Sequence, residues 1–300
     1  MTVQERFATI DRLAFEVTAN AKERRHGSVT AIREILARRE MLALFIRRDL
    51  KSRYKDSALG FVWTLIRPLT QLFIYYVVIG KFLQAERGIP DFAIYVFTGL
   101  TMYGLFSEII SSSTASIVGN SGLIKKVYMP RELFPLASVG SALFNFAIQF
   151  GILIVATLIL RVFPLSWELL YIIPSLLVVV VFGTAFGLLL SAVNVYLRDI
   201  QYLVEVILLV MLWASPIVYA WQNAAGFLKG SFLLEIYTDN PITLAVLGFQ
   251  RAMWIGGHDA VSYPGNLLLR LIIALVVGLG LVVVFQRVFS RLQGNFAQEL

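Results

Sequence analysis

Residues 46–69 read I-R-R-D-L-K-S-R-Y-K-D-S-A-L-G-F-V-W-T-L-I-R-P-L. A dense basic segment, with Arg47, Arg48, Lys51, Arg53 and Lys55, runs without a linker into an apolar one that continues to Leu83. Lys and Arg cluster on the cytoplasmic flank of membrane spans because moving them across the bilayer is costly. This junction therefore fixes the class of the chain, its orientation and the point at which it enters the membrane.

Composition agrees. Of 300 residues, 58% are hydrophobic and 15% charged, against about 45–50% and about 25% in soluble domains. The excess apolar residues come in long runs. The formal net charge of +7 lies mostly beside those runs, where topology explains it without nucleic acid. No cysteine is present, so disulfides and thiolate metal sites are excluded. His26 and His258 are far apart and form no ligand pattern. Glu5, Asp11, Glu16 and Glu23 interrupt the N-terminus, which lacks the apolar core of a cleavable signal. Residues 1–27 read as a polar cytoplasmic arm.

Ser28 can cap a helix, and Ile32, Ile35, Leu36, Leu42, Phe45 and Ile46 then recur at helical spacing with arginines between them. Residues 28–59 thus predict an amphipathic helix in the membrane interface, apolar face down. A span needs about 20 apolar residues, and six stretches are expected to cross, at about 60–83, 92–113, 133–160, 170–193, 201–221 and 265–286. Both termini then lie in the cytoplasm, and the Lys and Arg residues favour that side. The predicted class is an all-α integral membrane protein of six transmembrane helices in the plasma membrane, its transmembrane domain covering residues 60–300. Gly183 and Gly187 allow close helix approach. Asn240–Pro241 starts a helix of about 15 residues, too short to cross and so re-entrant or interfacial.

Two features leave two readings each. Arg67, followed by Pro68, either faces protein, water or an anion, or snorkels to the interface. Residues 116–136 form either a plain loop or a short helix, capped by Asn120 or Ser121 and stopped by Pro130, that an outside partner could push.

No G-x-x-x-x-G-K-[ST] occurs, so no P-loop is expected and ATP hydrolysis falls to another subunit. No nucleophile motif or metal cluster appears. Glu108 and Glu205 are the intramembrane carboxylates, both near span ends. Aromatic residues are abundant, with 22 Phe, 12 Tyr and 5 Trp. Interfacial belts explain part of them; the other reading is a path for sugars, whose C–H faces suit aromatic rings.

The run R-D-L-K-S-R-Y-K-D-S-A-L-G-F-V-W (48–63) with Pro68–Leu69 resembles the segment that enters the membrane in ABC-2-type polysaccharide exporter permeases, the family that exports O-antigen, teichoic acid, capsule and cell-wall galactan. N-S-G-L-I-K-K-V-Y-M-P-R-E-L-F-P-L (120–136) is similar to that family's cytoplasmic loop. N-V-Y-L-R-D-I (194–200), S-P-I-V-Y (215–219), N-P-I-T (240–243) and F-A-Q-E-L (296–300) follow in the family's order. The resemblance covers about residues 30–300. It implies a homodimer with two copies of a cytoplasmic ATPase subunit that binds ATP and Mg, this chain holding no cofactor. It further implies a gate helix at 31–55, a coupling helix within 119–131, two re-entrant helices before the last span, and a glycan on a polyprenyl diphosphate or other lipid carrier as substrate.

Joined to the residue chemistry, it assigns Arg47, Arg48, Arg53, Tyr54, Lys55 and Arg67 to the lipid diphosphate, since guanidinium pairs bidentately with such anions. Leu123, Lys125, Lys126, Tyr128, Pro130 and Arg131 are assigned to the ATPase contact. Trp63, Tyr75, Tyr76, Tyr103, Phe106, Trp213 and Tyr219 are the candidate channel aromatics. The alternatives are an ABC-2 permease for a drug or small lipid, a membrane glycosyltransferase or acyltransferase, for which no acidic or histidine cluster is present, and a passive channel or scaffold.

Overall fold

The computed structural model describes residues 37–54, 62–127, 129–257 and 261–300. Among them every regular element is helical: α1 Arg39–Tyr54, α2 Trp63–Ile74, α3 Phe92–Gly119, α4 Ser121–Ile124, α5 Leu133–Ile159, α6 Ile172–Tyr196, α7 Ile200–Trp213, α8 Trp221–Phe227, α9 Leu233–Thr238, α10 Pro241–Met253, α11 Leu267–Leu292 and α12 Phe296–Glu299. A π-helix, Tyr75–Phe82, extends α2. The arm of residues 1–27, Ser28, the Ile32–Leu36 part of the amphipathic stretch, Lys55, Tyr128 and His258 lie outside the described residues.

The bundle is built around α3, which packs against α5, α6, α7 and α10. Its close fit to α6 comes from small residues one turn apart. A Cβ at Gly183 would lie 2.8 Å from Ile109, and one at Gly187 would lie 2.8 Å from Ser113. With the backbones that near, Asn194 Nδ2 donates to the Thr114 carbonyl at 3.0 Å. The glycine spacing expected to bring helices together does so here.

Five helical stretches among the described residues are long and apolar enough to cross a membrane: Trp63–Phe82, Phe92–Gly119, Leu133–Ile159, Trp167–Tyr196 and Leu267–Asn295. The expected crossing at 201–221 is not one continuous helix. Its helix α7 ends at Trp213 after 14 residues, about 21 Å at 1.5 Å per residue, short of a hydrocarbon core of about 30 Å. Pro216 supplies no N–H and disfavours a helical Ser215. The freed carbonyls are answered from within the bundle. The Tyr95 hydroxyl lies 2.8 Å from the Pro216 carbonyl and 2.7 Å from that of Tyr219, donating to one at a time. Gln250 Nε2 also donates to Pro216, at 2.9 Å. Irregular backbone buried in protein at membrane depth needs such partners.

The second and sixth stretches run further than expected, to Gly119 rather than 113 and to Leu292 rather than 286. In both cases small polar or charged residues prolong the helix beyond its apolar run.

Asn240 does cap α10, its Oδ1 accepting from the Ile242 N–H at 3.0 Å with Pro241 at the first position. Nearly all of α10 is buried. Phe249 meets Phe146 and Phe150 of α5 at 6.0 and 5.6 Å, so the helix sits inside the bundle and is not an interfacial one. Three short helices, α8 to α10, precede α11, where the resemblance implied two.

Apolar burial falls into two separate cores. The larger joins α3, α6 and α10 with the inner faces of α5 and α11. The smaller gathers Phe45 of α1, Ile124 of α4, Met129, Leu133 and Phe134, the end of α6, and Phe289 and Phe296. Here the expectation for the amphipathic stretch is amended. Phe45 is stacked on Phe134 at 5.3 Å, and Ile46 lies against Gly140. Part of the face read as lipid-facing is thus covered by α5; periodicity marks an apolar face but not what covers it.

Candidate functional site

Three groups of candidate residues take their places on this frame. The first is cationic. Arg47 and Arg48 project from the exposed side of α1. Arg48 pairs with Asp49 at 2.7 Å and lies 4.9 Å over the Phe45 ring, whereas Arg67 is exposed and makes no ion pair among the described residues. Arg53 and Tyr54 close α1.

The second group is the 120–136 loop. Its helix is a single turn, Ser121–Ile124, which ends well before Pro130. Neither Asn120 nor Ser121 caps it by side chain; Asn120 Nδ2 donates back to the Ser116 carbonyl at 2.8 Å instead. Lys125, Lys126 and Val127 are exposed and border a hollow of about 300 Å³ shared with Ile124, Met129 and Arg131. Leu123 packs into the smaller core. Pro130 is half-buried. Arg131 is half-buried too, its guanidinium 5.5 Å over the Phe296 ring.

The third group is aromatic, and the structure divides it. Trp63, Arg67, Gln71 and Tyr75 follow one another at four-residue intervals, so they share one face of α2 and its continuation. Tyr75 meets Trp213 of α7 edge-on at 6.3 Å. Trp63 and Trp213 are about half exposed. Tyr219 donates to the Trp213 carbonyl at 2.8 Å and accepts from the Tyr237 hydroxyl at 3.2 Å, which ties it to α9. Tyr103 and Phe106 are buried. Tyr103 donates to the Leu208 carbonyl, fastening α7 to α3. Tyr76 lies on another face, under the Lys81 ammonium at 5.3 Å.

Beside the α2 face runs a groove of about 480 Å³ between α2, α3 and α7. Gln71, Ser107, Glu108, Ser111, Ser112 and Gln201 give it a polar wall in the middle of apolar helices. Glu108 accepts from Asn145 Nδ2 at 2.6 Å. An ionisable group at membrane depth is costly unless it faces protein partners or a watered cavity, and Glu108 has a protein partner in Asn145 and borders this groove. Of these residues Glu108 and the serines were visible as polar positions in the sequence. Gln71, Asn145 and Gln201 were missed, although each is a polar residue in an apolar run. Glu205, the other intramembrane carboxylate, is exposed on α7 away from this wall.

At the far end of the bundle from α1, Arg251 pairs with Glu168 at 3.0 Å between the rings of Tyr171 and Tyr263. Burial pushes the Tyr263 hydroxyl above its ordinary range. This cluster joins α10 to the start of α6 and reads as a structural clasp. Among the described residues no group of His, Cys, Asp or Glu has a metal-binding arrangement.

The architecture is that of a polytopic helical membrane protein with a polar groove set into its bundle. The chain belongs to the ABC-2 type transporter family, whose model matches residues 40–254. It is 28% identical over 263 residues to the O-antigen export system permease protein RfbA of Klebsiella pneumoniae, covering 87% of this chain and 95% of that one. A protein of the same description from Myxococcus xanthus is 26% identical over 222 residues, 74% of this chain and 83% of its own length. The capsule polysaccharide export inner-membrane protein CtrC of Neisseria meningitidis is 20% identical over 262 residues, 85% and 95% of the two chains.

Proposed function

We propose that this chain is the permease subunit of an ATP-driven ABC exporter that moves a lipid-linked polysaccharide across the plasma membrane. The observation that carries this reading is the α2 face Trp63–Arg67–Gln71–Tyr75, alongside the polar groove and abutting Trp213. A cation, then amide and hydroxyl groups, then aromatic rings suit in turn a diphosphate, sugar hydroxyls and the C–H faces of pyranoses. The family and the named relatives, which export O-antigen or capsule polysaccharide, support it. In this reading two copies of the chain enclose the path, and α1 and the 120–136 loop lie on the cytoplasmic side with the termini. Two ATPase subunits, which supply ATP and Mg, close on the loop. The basic residues of α1 and Arg67 draw in the lipid diphosphate.

Native mass spectrometry of the gently purified complex tests this. Two copies of the chain with two ATPase subunits and a bound lipid-linked glycan are expected. A complex holding only a small lipid or drug moves the function to that substrate class, and a chain with no ATPase partner removes the mechanism. Arg53→Ala and Arg67→Ala are each expected to lower export several-fold with assembly intact; normal export in both sinks the diphosphate assignment. Glu108→Leu, which removes the carboxylate that accepts from Asn145, is expected to lower export about tenfold, the equivalent of about 1.4 kcal/mol. Glu108→Gln, which keeps an acceptor, should stay near the native rate. Equal transport by the two variants would remove Glu108 from the path.

A further inference from the structure

The closing F-A-Q-E-L of the sequence has no part in the path or in the cationic patch, yet its phenylalanine is fully buried. Beyond α11 the backbone turns through Gln293–Asn295 into α12. This brings Phe296, 0% exposed, into the smaller core. Its ring meets Phe289 perpendicularly at 5.6 Å and Tyr196 at 6.2 Å. Two side chains of the 120–136 loop are tied to this segment. Arg131 lies 5.5 Å over the Phe296 ring, and Glu132 Oε1 accepts from Gln293 Nε2 at 3.3 Å. Tyr196 donates to the Leu292 carbonyl at 2.7 Å and holds the segment to the end of α6.

We propose that residues 293–300 are a strut that fixes residues 125–127 and 129–132, with Phe296 and Arg131 as positioning residues. The stretch needs one. Its helix ends at Ile124; the N–H groups of Lys125, Lys126 and Val127 still bond back to Ser121 and Leu123, but the return path from Met129 to Glu132 lies outside any regular helix. An exposed basic surface presented without support is dispersed over many conformations, and ordering it on contact costs free energy. Arg131 is drawn back onto Phe296 by cation–π attraction, so it works from behind the loop and leaves the outward contact to Lys125 and Lys126. The strut deepens the docking role assigned to this loop under Proposed function and is useful to the exporter only if that role holds; the contacts themselves are independent of it.

The test is the rate of tryptic cleavage after Lys125 and Lys126 in the purified full chain, read by mass, for Phe296→Ala, Arg131→Gln and Leu153→Ala. Leu153 is equally buried but in the larger core, so it reports general loosening. Phe296→Ala is expected to raise cleavage about tenfold and Arg131→Gln several-fold, with Leu153→Ala near the native rate. Arg131→Gln leaves both cores filled, so its effect reads the contact and not packing. Unchanged cleavage in Phe296→Ala and Arg131→Gln overturns the strut, as does an equal rise in Leu153→Ala. Faster cleavage together with unaltered ATPase binding in both variants upholds the strut and instead counts against the loop as the docking surface.

Discussion

Exchanging Lys125 and Lys126 together for glutamate is expected to abolish export while leaving the bundle folded. Both side chains are exposed beside the loop hollow and stand apart from either core, and surface substitutions of that kind usually change stability by no more than about 0.5 kcal/mol. At an interface the sign of the charge matters far more. Placing like charges against a surface shaped for cations costs several kcal/mol, and about 4 kcal/mol is a thousandfold in affinity. Co-purification of the ATPase subunit should fall to background, with thermal unfolding of the chain unmoved. Native co-purification would remove the loop from the ATPase contact and leave the family membership untouched. Arg131 is left out of this exchange because its ring contact makes any loss there ambiguous between docking and loop position.

The second large effect is structural. Gly187→Leu should destroy the seam between α3 and α6. Even a Cβ at that position would come within 2.9 Å of both Ser113 side-chain atoms. A leucine has no space to occupy unless the helices part. Parting them also breaks the Asn194 bond to Thr114, which closes the same seam. Overpacking in a filled core costs about 1–3 kcal/mol and occasionally more, and a lost buried hydrogen bond adds about 1 kcal/mol. Against a total stability of about 5–15 kcal/mol, the folded yield in membranes should drop severely and the unfolding temperature in detergent with it. Gly280→Leu is the contrast, for no atom lies within 4 Å of its Cβ position, and it should fold as the native chain does. Similar behaviour of the two would mean that the α3–α6 seam yields more readily than its geometry indicates.

Local chemistry made some of this fold legible from the sequence. Asn240–Pro241 carries its own cap, and Gly183 and Gly187 carry their own spacing, so both features are legible without knowledge of the packing. Pro216 was seen as an interruption, yet the helix stops before it. That outcome depends on Tyr95 and Gln250, residues more than 30 positions away on either side, being present to receive the broken backbone. The groove was illegible for the same reason. Gln71, Glu108 and Gln201 lie on three helices, and each alone is only a polar residue in an apolar run. Their meeting is tertiary. Phe45 and Ile46 show the opposite limit, since an apolar face is plain in the periodicity while the helix α5 that covers part of it is not.

The division of the apolar interior into two cores bears on how the molecule comes apart. Proteins open in cooperative units whose stabilities differ, and a unit with fewer buried contacts opens first. The smaller core, holding α1, the 120–136 loop and α12, is one such unit. Amide hydrogens around Phe45, Phe134 and Phe296 should therefore exchange with solvent through excursions that leave α3 and α10 protected. A protein organised in this way keeps its larger core rigid while the part proposed to meet the ATPase breathes on its own timescale.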